Sequence, residues 1–236
     1  FGKEPRIQQM HCRVLRSAVA APLLLLAAVH AACDSPTVPA PAAGYDFAIP
    51  GGQIVYRWPL GATVRVFPVA GDAARTGELV AALDQAIAAW NAAVLFGEYR
   101  LARAARPSEA HAVLAWSDVA LPVVTGSCPP LLTGRAVTTF CADAGDPGRM
   151  ATFPLLDDEV PSPVRMVVLV RASEAGDAER VRRLVAHELG HVIGIGAHSA
   201  DPLDLMFGGT LETAVPSAAD RATVRRLYRT DPDLRP

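Results

Sequence analysis

The stretch of this chain that most constrains its fold is His-Glu-Leu-Gly-His at positions 187–191, with His198 as the next histidine. On a helix, positions i and i+4 share a face, so His187 and His191 can offer two imidazole nitrogens to one metal ion. Imidazole suits zinc, and a catalytic zinc usually takes three protein ligands and leaves a fourth position to water. Glu188 can reach that water without binding the metal. The spacing therefore predicts zinc-assisted attack of water on a carbonyl group.

The residues after the motif offer a third ligand. Gly194 follows His191 by three positions, and a residue without Cβ allows the helix to end and the chain to turn. The turn can bring His198 back to the same ion. Asp201 and Asp204 are the alternative third ligands, because a carboxylate oxygen also binds zinc.

Together with Met206, which lies in an apolar context, these residues resemble the signature of the metzincin clan of zinc peptidases. The resemblance implies that His187, His191 and His198 bind zinc, that Glu188 is the general base, and that Met206 packs beneath the metal. It also implies an α+β fold of the matrixin type. Such a fold has a twisted mixed sheet, a helix in the N-terminal lobe, an active-site helix, a methionine turn and a C-terminal helix.

One position departs from the clan pattern. The clan places its third ligand three residues after the glycine, where this chain has Ala197, which cannot bind a metal. We expect the loop to carry one extra residue so that His198 binds, because the glycines of 194–196 give the backbone freedom. A site with only two histidines is the alternative. In preference to binding the metal, Asp201 and Asp204 are expected to brace the methionine turn or the ligand histidines through hydrogen bonds.

Composition and charge indicate a single folded domain and argue against nucleic acid as a binding partner. The chain has 236 residues, of which 51% are hydrophobic, enough for one domain with a core that a cleft can divide into two lobes. The formal net charge is −2 and no run of basic residues occurs, so we expect no nucleic-acid partner. We expect a monomer that acts on a protein or peptide.

The N-terminal residues 1–32 have the character of an export signal, with Met10 as the expected start. Two arginines precede the apolar run 18–29, which is too short for a comfortable membrane span. Cys33 follows two alanines, as in the cleavage box of bacterial lipoproteins. Cys33 is therefore a candidate for lipidation, and we expect an exported protein anchored to a membrane by lipid. Ordinary secretion and a buried apolar helix are the alternatives.

The rest of the chain divides into a Pro/Ala-rich tether at 33–55 and a peptidase domain at 56–236. Alternating or continuous apolar residues predict strands. Helical spacing and capping residues predict helices, with Thr76, Asp177 and Ser217 as N-caps. The expected strands cover 63–69, 99–104, 112–117, 135–141, 150–155 and 164–172, and the expected helices cover 76–96, 177–193 and 217–228.

Other polar residues receive less specific predictions. Cys128 and Cys141 form an even pair in an exported protein, which favours a disulfide over two free thiols or a second metal site. The acidic run 157–159 could hold Ca²⁺, but a solvated turn is favoured because spaced oxygen ligands are absent. His111 is expected to be structural or exposed.

The function that these patterns favour is a zinc-dependent endopeptidase, with the strand at 135–141 as the edge that pairs with an extended substrate. Two alternatives remain open. One is a non-catalytic zinc-containing surface lipoprotein that acts as a binding module. Glu188 argues against this alternative, because a structural zinc has no need of a base. The other is a hydrolase of peptide-like amides in the cell wall.

Overall fold

The computed structural model describes residues 43–50, 53–121, 132, 134–153 and 164–236, all within the compact unit Ala40–Pro236. The described residues form five strands and three α-helices. In chain order these are β1 (Ala62–Pro68), α1 (Ala73–Ala93), β2 (Tyr99–Arg103), β3 (Ala112–Trp116), β4 (Ala136–Thr139), β5 (Met166–Val170), α2 (Ala178–Val192) and α3 (Ala218–Leu227).

The strands form one mixed sheet in the order β2-β1-β3-β5-β4. The first four strands in this order run parallel, and β4 pairs antiparallel with β5 at one edge. All residues of β3 and β5 are buried, which explains their continuous apolar sequences. β4 contains two threonines and is only half-buried, as suits an edge. The predicted α+β fold with a mixed sheet is confirmed.

Helix α1 packs its apolar side against α2. Trp90 is fully buried there, and its indole N–H donates to the backbone carbonyl of Ala186 at 2.7 Å. The predicted N-cap at Thr76 is wrong, because Asp72 caps the helix by accepting from the backbone N–H of Arg75. The first turn is largely exposed, so no apolar periodicity marks it in the sequence.

The predicted end of α1 and one predicted strand also differ from the structure. The helix ends at Ala93 rather than near Phe96. The prediction is too long because Leu95 and Phe96 continue the apolar pattern in the sequence, although both face solvent. The expected strand at 150–155 is reduced, within its described part, to isolated bridges at Met150 and Phe153.

The segment 43–50, which the sequence assigns to the tether, packs against the domain. The Tyr45 hydroxyl donates to the carboxylate of Asp220. The backbone carbonyl of Phe47 accepts from the N–H of Gly196 at 2.7 Å. This segment therefore contacts both α3 and the loop that follows α2.

Several predictions concern residues outside the described ranges. They are the export signal at 1–32, the lipidation candidate Cys33, the disulfide partner Cys128 and the acidic run 157–159. Cys141 is described and lies just after β4, but its pairing with Cys128 stays a prediction. Within the described ranges, no helix has both the length and the apolar character needed to cross a membrane.

Candidate metal centre

Helix α2 carries the first two histidines of the motif. Its start is fixed by Asp177, whose side chain accepts from the backbone N–H of Arg180 at 3.1 Å, as predicted. Its apolar residues are buried against the sheet and α1, and this fixes the rotation of the helix. His187 and His191 consequently lie one turn apart on the side that faces a cleft.

A sharp turn after α2 reverses the chain toward the cleft. Gly194 has a φ of 119°, and a Cβ at this position would lie 2.5 Å from the backbone oxygen of Tyr56. Only glycine fits both the backbone angle and the close approach. After the turn, Ala197 is buried and His198 points to the cleft. The loop therefore places His198, and not Ala197, at the cleft.

The three histidines converge at one point. Ligand atoms of His187, His191 and His198 all lie within 4.8 Å of one another, and the ring centroids are 5.0–5.2 Å apart. The Nδ1 atom of His187 is 2.8 Å from the carbonyl oxygen of Leu205, and that of His191 is 2.6 Å from the carbonyl oxygen of Ile195. A carbonyl only accepts, so each Nδ1 carries the proton and each Nε2 keeps a lone pair for a metal.

Burial keeps the imidazoles of His187 and His191 neutral, because it lowers the pKa of His187 to about 4 and that of His191 to about 3. His198 is more exposed, and partial desolvation lowers its pKa as well. A metal binds only the neutral ring, so the histidines need no deprotonation at neutral pH before they can bind.

The rival third ligands are engaged elsewhere. The buried carboxylate of Asp204 accepts from the hydroxyls of Ser199 and Ser217. The exposed Asp201 accepts from the backbone N–H of Leu203 at 2.9 Å. Within the described part of the chain, only the three histidines form a cluster with metal-binding geometry. The carboxylate of Asp204 thus links the Ser199 and Ser217 hydroxyls, which lie on either side of Met206 in the sequence.

Met206 lies beneath α2, fully buried. It touches the helix at Gly190, where an added Cβ would collide with the Met206 sulfur and lie 2.9 Å from the Trp90 ring. Glycine at this position therefore lets the methionine approach the helix backbone between its two histidines.

Asp220 is a residue of this centre for which the sequence gives only an indirect signal. It is fully buried and accepts from the backbone N–H groups of Leu205 at 2.8 Å, Met206 at 3.3 Å and Ser217 at 2.7 Å. The Tyr45 hydroxyl donates to it as well. One carboxylate thus ties the turn that contains Leu205 and Met206 to the start of α3. The signal is its place in the capping box that begins at Ser217.

We expect Asp220→Asn to lower the free energy of unfolding by about 3 kcal/mol, because the amide group would face backbone donors and leave at least one of them unpaired. Urea denaturation followed by tryptophan fluorescence measures this loss. Asp231→Asn changes an exposed aspartate in the same part of the chain and is the matched control. Equal unfolding midpoints for the two variants would contradict the role given to Asp220.

Glu188 lies beside the histidines with 4% of its surface exposed. Burial raises the pKa of its carboxyl to about 7, while the Thr138 hydroxyl, which donates to Oε2 at 2.7 Å, acts in the opposite direction. A cation at the histidines would favour the ionised form further. Thr138 comes from β4, and nothing in the sequence links it to the motif.

The cleft in front of these groups has a volume of about 1130 Å³. One wall is α2, the second is β4 with the residues before it, and the third is the segment 207–212. His111 lies elsewhere, where its Nδ1 accepts from the backbone N–H of Arg65, in agreement with the predicted structural role.

The donor set identifies the kind of metal that fits. Three imidazole nitrogens suit zinc, whereas Ca²⁺ and Mg²⁺ prefer oxygen ligands. Three protein ligands also leave one coordination position open, as in catalytic rather than structural zinc sites. Neither a scan against protein-family models nor a search among curated proteins gives a match to this chain.

Proposed function

We propose that this protein is a zinc-dependent endopeptidase of the metzincin type, with His187, His191 and His198 as the metal ligands. The observation that carries the proposal is the convergence of these three imidazoles beside the buried carboxylate of Glu188 in an open cleft. The methionine packed under α2 and the mixed α+β sheet are further features in keeping with that clan.

Zinc bound by the three imidazoles would supply a Lewis acid for the scissile carbonyl and would lower the pKa of water into the neutral range. The backbone carbonyls of Leu205 and Ile195 hold two of the rings in the orientation that this role requires. Because Leu205 and Ile195 are fully buried, their carbonyls can hold the two rings in place before the metal binds.

Glu188 moves the proton. The Thr138 hydroxyl holds Oε2, so Oε1 is the oxygen that is available to take a proton from the attacking water. The same oxygen then returns the proton to the leaving nitrogen of the cleaved peptide bond.

The substrate is proposed to bind along β4. In the described part of the sheet, β4 pairs only with β5, so its outer edge offers unpaired backbone groups to an extended peptide. Residues of β4 line the cleft together with the histidines. A peptide paired with this edge would place a carbonyl group in front of the metal.

Digestion of casein by the zinc-loaded protein tests the proposal. We expect cleavage that stops when 1,10-phenanthroline removes the metal and that returns when one equivalent of zinc is added, because only the ligated metal completes the site. A protein that binds zinc stoichiometrically but cleaves neither casein nor gelatin at any pH would instead be a binding module. Release of peptides from purified cell wall, without cleavage of casein, would indicate the amide hydrolase.

A further inference from the structure

The cleft contains one arginine that forms no ion pair with any described residue. Arg183 precedes His187 by four residues on α2, so the two side chains leave the same face of the helix. One helical turn separates their Cα atoms by about 6 Å, which is roughly the length of two residues of an extended peptide. Arg183 thus lies within reach of a substrate residue close to the scissile bond.

The other two arginines that line the cleft have partners. Arg180 pairs with Glu174 at 3.3 Å and with Asp177 at 3.1 Å. Arg135 lies 3.8 Å from the second oxygen of Glu174. These pairs offset the charges of both arginines, so Arg183 is the cationic group of the cleft that is open to a ligand.

Arg183 itself is half-buried and forms no ion pair with any described residue. Its Nε is buried without a hydrogen-bond partner in the described part of the protein. Glu179, four residues earlier on the same helix, interacts with Arg183 only electrostatically, because its carboxylate accepts two hydrogen bonds from Arg182 at 2.6 and 3.0 Å. Glu212 lines the wall formed by 207–212 but is exposed and makes no ion pair with Arg183.

The terminal nitrogens of this guanidinium form no hydrogen bond with any described residue, so they can donate to a ligand that enters the cleft. A carboxylate is the best match, because its two oxygens accept the paired N–H groups of arginine. We propose that Arg183 is a specificity residue that binds an acidic side chain of the peptide substrate, within two residues of the scissile bond. This inference rests on the proposed function.

Hexapeptide libraries test the inference. Each pair of libraries tests one peptide position, before or after the scissile bond. This position is Glu in one library of the pair and Gln in the other. For the wild-type protein, we expect Glu at one position to raise kcat/KM at least about tenfold over Gln, as a charge-assisted pair allows. In Arg183→Gln this ratio should fall to about 1. Arg183→Glu should reverse the ratio, because its carboxylate repels Glu at the same position.

Arg182→Gln is the matched control, because Arg182 is the neighbouring arginine, pairs with Glu179 and does not line the cleft. It should keep the preference of the wild-type protein for Glu. Cleavage by the wild-type protein without any preference for Glu, or an unchanged preference in Arg183→Gln, would overturn the inference while the peptidase function stands.

A binding measurement separates the inference from the proposed function. Fluorescein-labelled Glu and Gln libraries are titrated with the zinc-loaded protein that carries Glu188→Gln, and anisotropy reports affinity without turnover. We expect tighter binding of the Glu library, lost when Arg183→Gln is added. If no peptide is ever cleaved, the peptidase proposal fails, yet this difference in affinity would still support the acidic subsite. Equal affinities for the two libraries would overturn it.

Discussion

Glu188→Gln is expected to lower kcat/KM for a peptide substrate by about three orders of magnitude while the variant still binds one equivalent of zinc. The size of the loss follows from the contribution of a positioned general base, which typically lies between about a hundredfold and ten-thousandfold. An amide at this position can accept a hydrogen bond but cannot take up the proton. The Thr138 hydroxyl can still donate to the amide oxygen, so the local packing is retained.

Mass spectrometry measures whether the variant retains zinc. Cleavage of a quenched fluorescent peptide measures the fall in kcat/KM. Glu179→Gln is the matched control, since Glu179 lies on the same helix but is exposed and engaged with Arg182. It should leave turnover unchanged. Turnover by the Glu188→Gln protein at the wild-type rate would exclude Glu188 as the base, and loss of zinc together with activity would show that Glu188 acts on the metal site instead.

The parts of the fold that the sequence predicts well are those in which local pattern and burial agree. β3 and β5 are fully buried parallel strands, and their continuous apolar residues identify them without reference to the rest of the chain. The helix caps at Asp177 and Ser217 are equally local, since each side chain accepts from a backbone N–H three residues later.

Prediction from sequence is wrong where exposed residues have the apolar spacing of a buried helix face. It also misses contacts between residues that are distant in the chain. Leu95 and Phe96 continue the apolar pattern of α1 in the sequence, but they face solvent and lie beyond the end of the helix. Thr138 reaches Glu188 only through the pairing of β4 with β5, which no local pattern encodes. The same is true of the link between Tyr45 and Asp220 across 175 residues.

The candidate site divides in the same way. The spacing of His187 and His191 predicts their shared helix face, because helical geometry is local. The position of His198 depends on the path of the loop past Ala197, and thus on the positive φ of Gly194 and its close approach to the backbone oxygen of Tyr56. Sequence therefore leaves the third ligand open, while the geometry of the loop favours His198.

Accordingly, His198→Ala is expected to weaken zinc binding by at least about a hundredfold. Hydrogen-bond partners of ligand histidines already contribute about ten- to a hundredfold to metal affinity, and a direct ligand should contribute no less. The His187 and His191 rings are held by backbone carbonyls and would stay in place, so the loss would come from the missing nitrogen. Competition with a chromophoric zinc chelator measures the affinity.

The variant should also keep its fold. His198 is exposed, and its ring nitrogens form no hydrogen bond with any described residue, so its removal leaves no buried group unpaired. An unchanged urea midpoint would separate the loss of a ligand from unfolding. Asp201→Ala is the control that decides between the rival ligands, because its carboxylate engages only the backbone of its own turn. If Asp201→Ala lost zinc and His198→Ala kept it, the third ligand would be the aspartate.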